Sequence, residues 1–471
     1  MSHVHPTRDD PVVAALSESV GGPVGPRAGR ARWWTPARVV LAMVAVTFAL
    51  GMVQKAPCIS GDPPSQNYRY SHMCYSDLPP LYTLRGLVEL EWPYSDDEQV
   101  RARYEVMEYP VGISYWAWGT AWVTHVVTGS PDIDARSRAS VGDLAGTDQV
   151  RREVEVFTWV NAVGFAACAL LAAWLLAQVN PRRPWDAAIF ALSPTLALTG
   201  LINWDLLAVA FVAGALWAWS RDRPVLTGLM IGLGTATKLY PLFLLGGVLV
   251  ICLRRRRYGD LAVTTVWAVA GWLAANAPAY LSGKEQWKVF WSFNADRGPD
   301  LGSVWSVIAQ ASDTAIGHGT VNTWSWVVFG AWCLGVLVLG LRAPETPRLA
   351  QLGFLVVAGF LLVNKVYSPQ YVLWLLPLAA LARPRWRDQI VWQSGEVLYF
   401  AAIWWYLGGY LAPSSGSDAG FYWVAIVLRM LAELYLVGIV VRDVLRPRHD
   451  PVRRGEPEAQ ASTTRSNVVA V

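Results

Sequence analysis

Apolar residues come in long unbroken runs along this chain, without the strict alternation of half-buried strands. The runs fall at about 37–54, 154–179, 186–202, 205–220, 225–238, 240–253, 260–281, 323–341, 349–363, 368–382, 396–411 and 420–441. Only helices satisfy all their own backbone groups in lipid, apart from closed barrels, whose strands alternate polar and apolar. The pattern therefore predicts an all-α polytopic membrane protein with about 12 transmembrane helices. Several runs are shorter than the roughly 20 residues of a straight span. The run at 37–54 reads as an uncleaved first span, because a long polar tail precedes it and no clear small-residue cleavage site is present.

Arginines orient these spans. They cluster at Arg182–Arg183, Arg221/Arg223, Arg254 to Arg257, Arg342/Arg348, Arg383/Arg385/Arg387 and from Arg442 onward. Cytoplasmic loops are enriched in Lys and Arg. All six clusters fall on the cytoplasmic side if the runs above are the only crossings. Residues 110–128 compete with that count, since they are apolar enough to cross. Their Trp116, Trp118 and Trp122 suit a helix at headgroup level on the outer face. A second crossing somewhere in 55–153 is the alternative repair.

The expected organisation is a disordered cytoplasmic tail (1–35), a transmembrane domain (36–441) and a second disordered cytoplasmic tail (442–471). The transmembrane domain carries extracytoplasmic loops at 55–153 and 282–322. This makes a multi-pass plasma-membrane protein with both termini cytoplasmic. The first loop holds nine Lys/Arg and fourteen Asp/Glu, a net charge of −5.

Composition narrows the class further. The chain of 471 residues is 54% apolar and only 16% charged, and mean hydropathy is +0.30. A soluble domain carries about a quarter charged residues, so an ordinary soluble enzyme and a disordered protein are excluded. No soluble segment is long enough for a Rossmann domain. No cofactor, metal or nucleic acid is expected, since no CxxC, HExxH or Cys/His cluster with metal spacing occurs. Cys58 and Cys74 share the first outer loop and could pair there.

Four segments carry candidate chemistry. The first is Asp77 with Pro79 and Pro80 behind it, followed by Arg85 and by Glu108-Tyr109-Pro110. Asp77 suits a general base for an acceptor hydroxyl or the N-cap of a short helix. Asn203-Trp204-Asp205 offers a second carboxylate, which also fits a cap. Lys238 and Tyr240 interrupt an apolar stretch, as a snorkelling Lys or a phosphate ligand. Lys365, Ser368, Gln370 and Tyr371 offer a cation, hydroxyls and an amide, or simply an interfacial turn. Charge counting, which ignored these residues, puts all four segments on the outer face. Arg429 and Glu433, four apart in the last run, read as a structural ion pair.

In order and spacing, these motifs resemble the GT-C class of membrane glycosyltransferases. Cys74-Tyr75-Ser76-Asp77, Glu108-Tyr109-Pro110, Asn203-Trp204-Asp205, Lys238-Leu239-Tyr240-Pro241 and Lys365-Val366-Tyr367-Ser368-Pro369-Gln370-Tyr371 look most like glycosyltransferase family 87. The resemblance implies a GT-C-like fold with juxtamembrane helices in the first outer loop. It also implies an inverting, metal-free hexosyltransferase active on the extracytoplasmic face. The donor would be a polyprenyl-phosphate sugar, with mannose as the sugar. The acceptor would be a cell-envelope glycan or glycolipid hydroxyl. Asp77 matches the general base, and Lys238 and Lys365 are candidates for the donor phosphate. Residues 129–153 match nothing in that pattern. The alternative from another class is a transporter or flippase of a lipid-linked saccharide, motivated by the helix count and the intramembrane charges.

Overall fold

The computed structural model describes residues 33–59, 66–411 and 420–453. The described residues form helices and no strand. A first helix, α1 (Pro36–Lys55), leads into a region of short helices. These are α2 (Gln66–Ser71), α3 (Leu78–Leu84), α4 (Glu98–Arg103), α5 (Val111–Val127), α6 (Ile133–Arg136) and α7 (Val141–Ala145). The long α8 (Asp148–Val179) follows, then α9 (Ala188–Ala191), α10 (Pro194–Thr199), α11 (Asp205–Ser220), α12 (Pro224–Thr237) and α13 (Leu244–Arg255). The remainder are α14 (Tyr258–Ser282), α15 (Lys284–Asp296), α16 (Val304–Ala311), α17 (His318–Arg342), α18 (Leu349–Val363), α19 (Val372–Ala382), α20 (Trp386–Leu407) and α21 (Gly420–Leu445).

Five of these helices are long and apolar enough to cross a membrane, beginning at Pro36, Asp148, Tyr258, His318 and Gly420. Four more apolar helices are shorter, beginning at Asp205, Pro224, Leu349 and Pro369. The expected run at 186–202 is not one helix. It breaks at Ser193-Pro194, where proline disfavours helix in the residue before it, and the Ser193 hydroxyl donates to Gln393 Oε1 over 2.7 Å. The run expected from 396 starts ten residues earlier, at Trp386. Its polar first turn is satisfied internally: Arg383 pairs with Asp388 at 2.8 Å, and Gln389 donates to the Ala379 and Arg383 carbonyls.

Close backbone approach organises one helix pair. Gly228 and Gly232 lie one turn apart on α12, and a Cβ at either would strike the Thr264 or Ala268 carbonyl of α14. Small residues at this spacing let two membrane helices touch.

The arginine clusters gather at one end of the bundle. Arg221 donates to Gln178 O, Arg254 to Ala343 O and Arg183 to Pro451 O. The segment after Arg442, expected as tail, continues α21 to Leu445 and then packs back. Buried Asp450 pairs with Arg348 at 3.0 Å, and Arg383 pairs with Asp443 at 2.8 Å. Most of the two expected tails lies outside the described residues. The Arg429–Glu433 pair is formed at 3.0 Å, with the Arg429 guanidinium 3.6 Å from the centre of the Tyr367 ring.

Residues 129–153 are folded onto the first loop. Arg136 pairs with Glu153, to which the Tyr82 hydroxyl also donates over 2.9 Å. One face of the first turns of α8, carrying Val150 and Glu153, is therefore packed against loop structure, which is why α8 begins before its apolar run.

Candidate active site

The site lies at the bundle end opposite the arginines. Helices α8 and α11 run from it toward them: Trp204, just before α11, donates to Asn161 of α8 over 2.9 Å.

Asp77 is placed by four independent ties. A disulfide joins Cys58 to Cys74. The Lys55 ammonium donates to the Met73 and Tyr75 carbonyls at 3.2 and 3.0 Å. The Ser76 hydroxyl donates to Leu201 O over 2.9 Å. The Asp77 N–H donates to Ile202 O over 2.8 Å. The loop is thereby pinned to both α1 and the chain entering α11.

The Asp77 side chain does not cap α3. It accepts instead from the Tyr109 hydroxyl at 2.9 Å. The carboxylate thus stays partly open and uncommitted to the backbone. Its burial pushes its pKa above the ordinary carboxylate value; the Tyr109 and Tyr75 hydroxyls and Lys238 pull the other way. A carboxyl so shifted is a better proton acceptor than a free one.

The other motifs converge here in part. Lys238, just after α12, pairs with buried Asp205 at 2.9 Å, and its ammonium lies 4.9 Å from the Tyr109 ring centre. Asp205 is the first residue of α11, not its cap; Asn203 Oδ1 accepts the Asp205 N–H at 3.0 Å. The second Asp205 oxygen accepts from Trp374 Nε1 at 3.1 Å. Trp374 is sandwiched between Tyr240 and Tyr371, with centroids 4.7 and 4.1 Å away. Asp77, Tyr109, Lys238, Asp205, Tyr240 and Tyr371 therefore form one connected cluster.

Lys365 stands apart from it. Its ammonium donates to Asn322 Oδ1 over 2.6 Å. Partial burial and the nearby Arg297 hold that ammonium below its ordinary pKa. Ser368 turns the chain before α19, its carbonyl accepting the Tyr371 N–H at 2.9 Å. Gln370 is buried, with its Oε1 lacking a protein partner. Arg85 and Glu108 pair with each other at 3.1 Å.

Sequence reasoning missed Lys55, Trp374 and Arg297. Lys55 had one signal, a cation directly ending an apolar run. Trp374 had none, lying within an apolar run among many tryptophans.

Residues 152–364 match the family model of glycosyltransferase family 87. The chain is similar to that family. The matched stretch includes Asp205, Lys238 and the helices that carry them; Asp77 and Tyr109 precede it and Tyr371 follows it. The match supports a family 87-like glycosyltransferase, which implies a sugar donor and an acceptor, and the apolar helices fit a lipid bilayer. No curated protein matches the sequence.

Proposed function

We propose that the protein transfers a sugar, with mannose as the expected one, from a polyprenyl-phosphate donor to a hydroxyl of a cell-envelope glycan or glycolipid. The transfer takes place on the extracytoplasmic face with inversion at the anomeric carbon. The observation that carries this reading is the Asp77 carboxylate, which makes no helix-cap bond and is held by the Tyr109 hydroxyl, with the Lys238 ammonium against the same Tyr109 ring.

In the proposed reaction, Asp77 accepts the proton of the acceptor hydroxyl. That oxygen bonds to the anomeric carbon as the bond from carbon to phosphate oxygen breaks. The phosphate leaves with the bonding electrons and needs no proton, so one carboxylate suffices. Lys238 is the cation placed to stabilise the departing charge, exchanging part of its contact with Asp205. Arg297, which pairs with Asp300, lies near Lys365 and within electrostatic reach of Tyr371. A narrow aromatic groove lined by Tyr109, Trp272, Trp287 and Trp291 adjoins the cluster.

The extracytoplasmic placement is supported by the separation of the cluster from the arginine end. Helix α5 also supports it. Its Trp116 packs on Gly164 and its Thr120 bonds Asn161, so successive turns climb α8 away from the arginines.

The test is transfer from a radiolabelled polyprenyl-phosphate mannose by membranes carrying the wild type or Asp77→Asn. Loss of transfer in a folded, inserted Asp77→Asn protein is expected. Retained transfer overturns the assignment. Movement of lipid-linked sugar across reconstituted vesicles by the same variant would favour the transporter reading instead.

A further inference from the structure

A second cleft shares a wall with the Asp77 cluster. It has a volume of about 370 Å³, and its lining includes Arg85, Arg101, Glu105, Glu108, Val289 and Phe293. Small-molecule sites commonly span about 300–1,000 Å³. The shared wall is the segment before α5: Glu108 faces the cleft, while its neighbour Tyr109 bonds Asp77.

The two sides of the cleft differ in chemistry. On one side Arg85 pairs with both Glu105 and Glu108, at 3.2 and 3.1 Å. Arg101 brings a second guanidinium there, of which Nε and one terminal nitrogen have no protein partner. On the other side, α15 presents Val289 and the Phe293 ring, which is 42% exposed. Forked N–H donors interleaved with carboxylate acceptors match vicinal hydroxyls, each of which both donates and accepts. An exposed ring beside them matches the C–H face of a pyranose or furanose. The two arginines are offset by two glutamates, so the cleft has no excess charge to select a phosphate or another anion. Helix α15 divides the two environments, since Trp287 and Trp291 line the aromatic groove while Val289 and Phe293 line this cleft.

We propose that this cleft holds the acceptor as a neutral, hydroxyl-rich glycan, presenting its reactive hydroxyl past Tyr109 to Asp77. The proposal rests on the glycosyl-transfer reading above. It makes Arg101 and Phe293 acceptor-binding residues for which the family resemblance gave no motif.

Binding is measured calorimetrically on the full chain in detergent, using a library of manno-, gluco-, galacto- and arabino-oligosaccharides. At least one series should bind the wild type. Phe293→Ala should weaken it by about three- to tenfold, the loss of one aromatic contact. Arg101→Ala should weaken it by about tenfold or more, the loss of charge-assisted hydrogen bonds. Unfolding temperatures of both variants serve as the folding control, and Phe293→Tyr should restore binding. Asp77→Asn should still bind the same oligosaccharide while losing transfer. No binding by any series, or equal affinity in Arg101→Ala, Phe293→Ala and wild type, overturns the proposal. Neither result touches the assignment of Asp77, which is judged on transfer alone.

Discussion

The Tyr109 hydroxyl donates to Asp77 Oδ2 over 2.9 Å, although 32 residues separate the two in the chain. This bond stabilises the charged form of a carboxylate whose burial favours the neutral one. Under the proposed mechanism the acid limb of kcat/KM reports Asp77, and activity rises with pH through its raised pKa. Tyr109→Phe removes a hydrogen bond to a charge, about 1.5–3 kcal/mol, or about one to two pKa units. The limb should therefore move upward by about that amount, with the plateau rate reached at higher pH. A limb that stays in place would separate Tyr109 from the base.

The same carboxyl makes a stability prediction of opposite sense to its catalytic role. A folded-state pKa above the unfolded value means that the native state binds the proton more tightly. Asp77 thus costs stability increasingly as pH rises from the unfolded value through the folded one. Asp77→Asn should unfold at the same or a higher temperature than wild type at pH 7.5, and show no such gain at pH 3. Catalytic groups held in unfavourable surroundings commonly trade stability for activity.

Lys238 and Asp205 form a buried pair, so removing one partner strands the other. Lys238→Met should cost about 3–5 kcal/mol for that reason and abolish transfer. Lys238→Met combined with Asp205→Leu should recover most of the stability in denaturant melts while transfer stays absent. Recovery of transfer in the double variant would show that Lys238 serves folding and not the donor.

Gly302 has φ +72°, and a Cβ there would strike both the Tyr399 hydroxyl and the Tyr367 carbonyl. Its N–H donates to the Tyr422 hydroxyl at 2.9 Å. Gly302→Ala should lower the unfolding temperature and displace the chain leading to Tyr371. Adding Tyr399→Phe removes one of the two colliding atoms and should restore part of the loss. Full tolerance of Gly302→Ala would place this crossing of loops outside the structural core.

Sidedness is open to labelling. If the end of α5 away from the arginines is extracytoplasmic, as proposed, cysteines at Thr128 or Gly129 in intact cells should react with impermeant maleimides. Labelling only after permeabilisation would move the Asp77 cluster to the cytoplasmic side.

The fold was legible where hydropathy is a local property. Runs at 37–54, 205–220, 349–363 and 420–441 each became a helix with nearly those bounds, because a segment's solubility in lipid depends on its own residues. Run 186–202 was misread because Pro194 breaks a helix without lowering hydropathy. The start of α20 was missed because its Asp388 is neutralised by Arg383 and Arg387 only in the folded state.

For the site, residue types and order in the chain were enough to nominate Asp77, Tyr109, Asp205, Lys238 and Tyr371, and the match over 152–364 supports the family reading they suggested. Which of the nominees meet was decided only by tertiary structure. Lys238 and Lys365 look equivalent in sequence, yet one pairs with Asp205 and the other with Asn322. Asp77 before Leu78-Pro79-Pro80 satisfies the local rule for a cap, yet its carboxylate turns to Tyr109. A cap is a choice between a backbone N–H nearby and a hydroxyl brought from elsewhere, and only packing supplies the second. The sequence determined most of the helices, the charges at their ends and the chemistry on offer; the crossing of distant segments decided which of those groups share a cavity.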